Sequence, residues 1–327
     1  MPLGDEKIID IALRPTRWEE YVGQDNVKKN LRILIDAAKK RDEPCDHILL
    51  HGQAGLGKTT LAYLVAKEMS CTIHITAGPS IEKAGDLVSI LSGLSTGDIL
   101  FIDEAHRLNR AIEEVLYPAM ESRKLPIIIG KGPAARTLSI DLPPFTIVAA
   151  TTRVGLLSNP LRSRFGALFK LDYYTESDIA SIIKRSAQLL KTTIDAEATH
   201  ILAQASRATP RVANRLLRRA RDYAEVHGTG AITPDMAREA LRLLEIDALG
   251  LDPQDRRLLE TIITKFGGGP VGLGSLAASL SEEVDTIEDV YEPFLLNLGF
   301  LERTSRGRLA TPKAYHHLGI AERQKLF

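Results

Sequence analysis

The sequence predicts an α/β fold: a parallel sheet flanked by helices, followed by a purely helical segment and a small C-terminal unit of helices with two short strands. Three observations predict it. First, His51-Gly52-Gln53-Ala54-Gly55-Leu56-Gly57-Lys58-Thr59-Thr60 sets a Gly-x-x-x-x-Gly-Lys-Thr loop between the apolar run Ile48-Leu49-Leu50 and a stretch, Leu61 to Met69, that is apolar at helical spacing. Second, Asp98-Ile99-Leu100-Phe101-Ile102-Asp103-Glu104 is a continuous apolar run ending in two acids. That is the pattern of a central parallel strand with carboxylates at its C-terminal end, where open α/β sheets put their ligands. Third, from Thr175 onward the spacing becomes helical, and the chain closes on two strand-like runs around Ser305-Arg306-Gly307.

The glycine loop carries the most specific chemistry. Gly52, Gly55 and Gly57 let the backbone wrap a phosphate through torsions closed to other residues. The free N–H groups of the loop and the helix N-terminus then face the anion. Lys58 is placed to reach the β/γ-phosphates, and Thr59 to put its hydroxyl on Mg²⁺.

In chain order, residues 1–10 read as frayed. A helix is predicted from Asp25 to about Lys40, with Val27, Leu31, Leu34, Ile35 and Ala38 on one face. Ile73-His74-Ile75 is a short second strand and Ile81 to Leu94 a helix. After the acidic strand, Asp103 fits the acid that holds Mg²⁺ through water, and Glu104 the base that activates the attacking water. Asp-Glu-Ala-His at 103–106 also spells a helicase box, but the other motifs of a two-domain helicase are not visible.

Leu125–Gly130 and Thr137–Leu142 flank a turn-rich tip and predict a hairpin. Ile127, Ile129, Leu138 and Ile140 on it are candidates for an exposed apolar patch, hence a partner site. Phe145 to Ala150 is a third buried strand ending in Thr151 and Thr152, and Thr152 can sense the γ-phosphate. Asn159-Pro160-Leu161-Arg162-Ser163-Arg164 follows as a proline-opened turn projecting two arginines, and an arginine that completes a neighbour's site acts as a finger.

Ser177–Leu190, Asp195–Ala205, Pro210–His227 and Pro234–Leu244 read as amphipathic helices. Thr209 is the N-cap before Pro210, so Arg211 lies in a first turn and faces an approaching phosphate, while Arg215 and Arg218 read as a solvated basic face. Beyond Asp252-Pro253 come helices at Gln254–Phe266 and Ser275–Leu280, a third capped by Ser281 and reaching Asn297, and strands Phe300–Thr304 and Arg308–Thr311. Three helices with a basic two-stranded wing make a winged helix, and Arg303, Arg306 and Arg308 suit phosphate or minor-groove contact.

The bulk numbers exclude several classes. A length of 327 residues allows about two or three domains. Formal net charge is zero, so a nucleic-acid surface must be local. Cys45 and Cys71 lack zinc spacing and fit a reducing compartment, and His47 and His51 lack a chelating geometry on a strand. No apolar leader or membrane span is visible.

The phosphate loop, the Asp-Glu pair, the hydroxyl-ended strand, the paired arginines and a helical lid with a first-turn arginine together resemble an AAA+ ATPase. One family is resembled closely. Leu13-Arg14-Pro15, Tyr21-Val22-Gly23-Gln24, Gly55–Thr60, Leu116-Tyr117-Pro118-Ala119-Met120-Glu121, Gly132-Pro133-Ala134-Ala135-Arg136, Asp141–Thr146, Ala150–Arg153 and Arg303–Arg308 are similar to RuvB. The likeness covers nearly the whole chain. Gln53-Ala54 stands where the family usually has two prolines, and Ala105 where it has isoleucine, with neither position catalytic.

The resemblance implies an ATP- and Mg²⁺-dependent hexameric motor that drives Holliday-junction branch migration in recombination and DNA repair, in the cytoplasm at the nucleoid. It implies a large ATPase domain over 1–174, a lid over 175–245 and a winged head over 246–327. Leu13, Arg14 and Tyr174 would line the adenine pocket. Lys58, Thr59, Thr60, Asp103 and Glu104 would hold and cleave ATP, with Thr152 as sensor 1, Arg211 as sensor 2 and Arg164 as finger on the neighbouring subunit. Main-chain groups at Glu121, Ser122 and Arg123 would approach a nucleotide as well. The hairpin 125–142 would bind the junction-recognition partner RuvA, and the nuclease RuvC would join the assembly. The chief alternative is an initiator-type switch that uses ATP to lock onto duplex DNA, from which DNA-stimulated steady-state turnover separates a motor. A protein-remodelling ring lacks its aromatic pore loop here, and a clamp loader its zinc module.

Overall fold

The computed structural model of the chain describes residues 12–129, 136–228 and 230–321. They form two units, Met1–Asp178 and Ile179–Phe327.

In the first unit, β1 (Ile48–His51), β2 (Ile73–Ala77), β3 (Ile99–Asp103), β6 (Thr146–Thr151) and β7 (Ala167–Lys170) form a parallel sheet in the order β2-β3-β6-β1-β7. The central strands are continuous apolar runs because helices cover both faces. Every residue of β6, and Ile48, Leu49, Leu50 and Ile99 to Ile102 of β1 and β3, is buried. Truncating Phe101, which is 0% exposed, to Ala would cost about 3–5 kcal/mol. The register pairs His51 with Thr151 and Ile102 with Ala149, so the strands carrying the loop, the acids and the hydroxyls end at one edge.

The helix predicted from Asp25 spans Asp25–Arg41 and buries Val27, Leu31, Ile35 and Ala38, with Leu34 half-buried. The helix expected over 81–94 is shorter, Ala84–Ser92, because the Asp86 carboxylate accepts from the backbone N–H of Lys83 and fixes the start there. β4 (Lys124–Ile129) and β5 (Arg136–Asp141) form the predicted hairpin one residue earlier than expected. Its tip lies outside the described residues, as do the side chains of Ile127 and Ile129. Leu125 and Ile140 face each other in register and pack on the core, whereas Leu138, two residues outward, is 52% exposed. The apolar face thus runs past the edge of the core, and Ile140 belongs to the core rather than to the patch.

In the second unit, Glu176–Leu189 leads in from the boundary, and Ala196–Gln204, Pro210–His227 and Pro234–Leu243 complete four helices within one residue of their predicted ends. Arg218 is buried at 8% exposure, so it is not part of a solvated face. Thr209 is the N-cap of its helix, although its hydroxyl bonds the Ser206 carbonyl instead of capping. The C-terminal part contains helices Pro253–Lys265 and Leu273–Leu280, then Val284–Thr286 running through a π-helical turn, Ile287–Tyr291, into Glu292–Asn297. β8 (Leu301–Thr304) and β9 (Gly307–Ala310) pair antiparallel as the wing, and Pro312–Leu318 follows. Leu258, Ile262, Leu276, Phe294, Leu295 and Phe300 fill this core. Ser281 does not cap the third helix. At φ 57° it closes the preceding one, and Glu283 is the next N-cap. No helix among the described residues is long and apolar enough to cross a membrane.

Candidate functional site

The phosphate loop leaves β1 through three glycines at positive φ: Gly52 at 144°, Gly55 at 82° and Gly57 at 96°. At two of them space, as well as torsion, demands glycine. A Cβ on Gly52 would stand 2.5 Å from the Leu171 carbonyl oxygen, and one on Gly57 would stand 2.7 Å from the Tyr21 hydroxyl. Lys58, 8% exposed, donates to the carbonyls of Gly52 (2.7 Å) and Gln53 (2.8 Å), so its ammonium lies across the loop. Thr59 and Thr60 follow in the first turn of the helix Lys58–Glu68.

The Thr59 hydroxyl lies 3.5 Å from Asp103 Oδ2. A hydroxyl and one carboxylate side by side, open to further oxygens, fit Mg²⁺, which takes one or two protein oxygens and completes its shell with phosphate and water. Glu104 comes next in a left-handed conformation, φ 48°, its N–H donating to Asp103 Oδ1 (2.9 Å). Its side chain is 53% exposed and 3.5 Å from Arg107. A non-glycine residue at positive φ, and the turn it makes, aim this carboxylate away from the strand axis. Gly78 permits that turn, since a Cβ there would stand 2.4 Å from the Glu104 carbonyl oxygen. At the end of β6 the Thr151 hydroxyl accepts from the Arg153 N–H (3.0 Å) and lies 3.0 Å from His106 Nδ1. The Thr151 hydroxyl thus shares one hydrogen bond with the backbone and one with the His106 ring. This bond ties the stretch after Glu104 to the strand that presents Thr152.

Two tyrosines brace the loop from behind. The Tyr174 hydroxyl is 3.1 Å from the Leu56 carbonyl and 3.1 Å from the Tyr21 hydroxyl, which is itself 3.4 Å from Leu56. Burial pushes Tyr174 up to about 12 and Tyr21 well above its ordinary value, so both remain hydrogen-bond donors. Gln24 joins the same segment, its amide donating to the Asp172 carbonyl at 2.6 Å. Leu13 is buried, and Arg14 lies 5.6 Å over the Tyr63 ring. Burial, followed by the cations Lys170 and Lys58, holds His51 at the loop entrance below its usual value.

Arg164 is 19% exposed and firmly held. Its Nη2 pairs with Glu121 at 2.9 Å, Nη1 donates to the Pro160 carbonyl at 2.6 Å, and the guanidinium stacks 4.5 Å over Tyr117. The Tyr117 hydroxyl is 2.9 Å from Ser158 Oγ, the side chain that caps the helical turn just before the arginine, Asn159–Arg162. Ser122 bonds back to Pro118, and Arg123 ends the helix Arg110–Ser122 in a left-handed conformation. The structure therefore brings Glu121 to Arg164.

In the second unit, Arg211 is exposed in the first turn of Pro210–His227. On the wing, Arg303 is 50% exposed and Arg306 exposed at the tip, while Arg308 is only 12% exposed.

Sequence reasoning missed three features: the brace by Tyr21 and Tyr174, the need for Gly78, and the His106–Thr151 bond. Each joins residues far apart in the chain, and no local pattern marks such a pairing.

Comparison with known proteins agrees along the whole chain. The profile of the Holliday junction DNA helicase RuvB P-loop domain matches residues 13–171, that of the RuvB AAA lid domain residues 174–247, and that of the RuvB C-terminal winged helix domain residues 248–319. The Holliday junction branch migration complex subunit RuvB of Kosmotoga olearia is 57% identical over 319 residues, covering 98% of this chain and 93% of that protein. Among solved structures, the Thermotoga maritima RuvB Holliday junction branch migration motor superposes with a TM-score of 0.88 at 50% identity, covering 95% of this chain and 99% of that one. An arginine-to-alanine variant of the Thermotoga maritima protein superposes with a TM-score of 0.86, also at 50% identity, covering 94% of this chain and 98% of that one. With all three profiles in chain order, and that identity over nearly its full length, the chain belongs to the RuvB family of AAA+ ATPases.

Proposed function

We infer that this chain is the ATP-driven motor of Holliday-junction branch migration. The observation that carries the reading is the meeting of loop, acids and hydroxyls at one sheet edge in a RuvB-family chain that carries an arginine-bearing wing. The chain is read as an ATPase domain (1–174), a lid (175–245) and a winged head (246–327).

Lys58 exchanges its two loop carbonyls for phosphate oxygens when ATP enters, and the N–H groups after Gly55 complete the cradle. Thr59 and Asp103 hold Mg²⁺, which when bound neutralises phosphate charge. Glu104 takes the proton from the attacking water, and Thr152 orients that water against the γ-phosphate. Leu13, Arg14 and Tyr174 take the adenine side, and Tyr174, fixed on the Leu56 carbonyl, couples that side to the loop. Subunits form a hexameric ring, a heterologous contact that closes. Across each interface Arg164 acts on the neighbour's γ-phosphate, and the backbone at Glu121–Arg123 lies against the same nucleotide. Arg211 reports the nucleotide state to the lid. Duplex DNA meets the wing arginines, Arg303, Arg306 and Arg308. The hairpin, with Leu138 exposed on it, docks RuvA, and RuvC joins at the junction in the nucleoid.

The test is branch migration of a synthetic four-way junction, with and without RuvA and with ATP or a non-hydrolysable analogue. Migration requiring both ATP hydrolysis and RuvA is expected. Tight ATP-dependent DNA binding without strand exchange would return the chain to the initiator-type switch.

A further inference from the structure

Glu292 is 0% exposed, a position that an acid occupies only with firm partners. It begins the helix Glu292–Asn297, directly after the π-helical turn. Its two oxygens are divided between the wing arginines. Arg303 Nε donates to Oε1 at 2.8 Å, and Arg308 donates to Oε2 through Nη2 at 2.9 Å and Nε at 3.2 Å. One helical turn earlier, Glu288 reaches the Nη2 atoms of Arg303 (3.3 Å) and Arg308 (3.8 Å). Arg303 and Arg308 are direct cross-strand partners in β8 and β9. Two like charges opposite each other disfavour strand pairing, so the wing in this register needs a carboxylate between them. The two guanidinium groups then differ in fate. Arg308 is enclosed. Arg303 spends Nε and Nη2 on the acids, which leaves Nη1 with no hydrogen bond or ion pair among the described residues on a side chain that is half exposed.

We propose that Glu292 is a positioning residue for duplex DNA: from inside the winged unit it fixes the guanidinium plane of Arg303 so that the Nη1 edge meets a phosphate, while Arg308 is the buried strut of the clamp. The proposal rests on the DNA reading of the wing and reassigns Arg308 from contact to support. A fixed guanidinium loses less side-chain freedom on meeting a phosphate, and its fork suits the planar anion.

Charge counting and positioning predict opposite signs, which makes the test sharp. Removing a negative charge near DNA should tighten binding if only net charge matters. In the full-length protein, Glu292→Gln should instead weaken binding of a fluorescein-labelled blunt duplex, followed by anisotropy across a salt series, by roughly tenfold. In an Arg303→Ala background the same change should add nothing. Equal or tighter binding by Glu292→Gln, or additive loss in the double variant, overturns the proposal. Circular-dichroism melting checks that the winged unit stays folded. If Glu292→Gln unfolds it, the pair Glu292→Leu with Arg308→Met replaces the buried charges by apolar groups and keeps the packing. That pair should fold and still bind weakly, and wild-type affinity in it overturns the proposal. Arg303→Ala and Arg306→Ala separate the two layers. If both bind as wild type, the DNA reading of the wing fails. If both weaken while Glu292→Gln does not, only the role of Glu292 fails.

Discussion

Gly78→Ala tests the placement of Glu104 from a residue that touches neither nucleotide nor metal. Gly78 lies in a short helical turn, Gly78–Ser80, after β2. An added Cβ would meet the Glu104 carbonyl oxygen at 2.4 Å, with Glu104 C and Leu108 N each at 3.3 Å. Ordinary contact begins near 3.4 Å, so the Glu104 turn must retreat by about 1 Å. The atoms in the way are backbone, already in a left-handed turn, and cannot rotate aside. Overpacking of this kind costs about 1–3 kcal/mol, which a domain survives. A misplacement of about 1 Å at the reacting groups costs roughly 10²-fold in rate. Steady-state ATP hydrolysis by Gly78→Ala should therefore show kcat down by about 10²-fold with KM for ATP little changed, because Lys58 and its loop lie on β1. Gly85→Ala is the control. It has nothing within 4 Å and lies inside the helix Ala84–Ser92, so it should keep full kcat and gain about 0.5–1 kcal/mol of stability. Wild-type kcat in Gly78→Ala would mean that the Glu104 turn does not set the rate.

Arg164→Ala rings and Lys58→Ala rings should each be nearly inactive, the first losing a contribution of about 10³–10⁵. An equal mixture, once subunit exchange is verified by labelling, should recover part of the ATPase, because roughly one directional interface in four is then complete. A dead mixture would argue against action in trans. Leu138→Glu on the hairpin should abolish capture of RuvA in a pull-down while leaving ATP hydrolysis without DNA unchanged, and intact capture would remove the hairpin from that role. Burial pushes Asp255 up to about 6 against the pull of Arg207. From about 4 to about 6 the folded state then holds a proton that the unfolded chain has released, so stability falls as pH rises through that window. Asp255→Asn should flatten the urea-unfolding free energy between those pH values, and an unchanged slope would assign it to other groups.

What the chain reveals on reading depends on how local each determinant is. The phosphate loop, the acidic strand and the long helix Pro210–His227 are legible because periodicity and turn chemistry act over a few residues. β7 escapes notice. Its four residues, Ala-Leu-Phe-Lys, alternate between half-buried and exposed at the sheet edge, and only pairing with β1 makes them a strand. Ser281 before two acids has the look of a cap, yet the preceding helix claims it as its left-handed end. The wing arginines read as an undifferentiated basic patch. What sorts them is Glu292, one of several acids in an amphipathic stretch and the one that is fully buried. Arg164 reads in sequence as a projecting cation, yet it is 19% exposed and lies on Tyr117 and Glu121, which come from a helix earlier in the chain and meet it only in three dimensions.

The brace behind the phosphate loop sets an order of events during synthesis. Tyr174 closes onto a carbonyl 118 residues behind it and onto a hydroxyl 153 residues behind it. A nascent chain already possesses every glycine and the lysine of the loop, together with β1, long before the residue that pins them emerges. Such late, long-range closure is slow relative to local helix formation. The last strand of the sheet ends at Lys170, so the braced form of the loop requires a chain in which every strand of the sheet is already present.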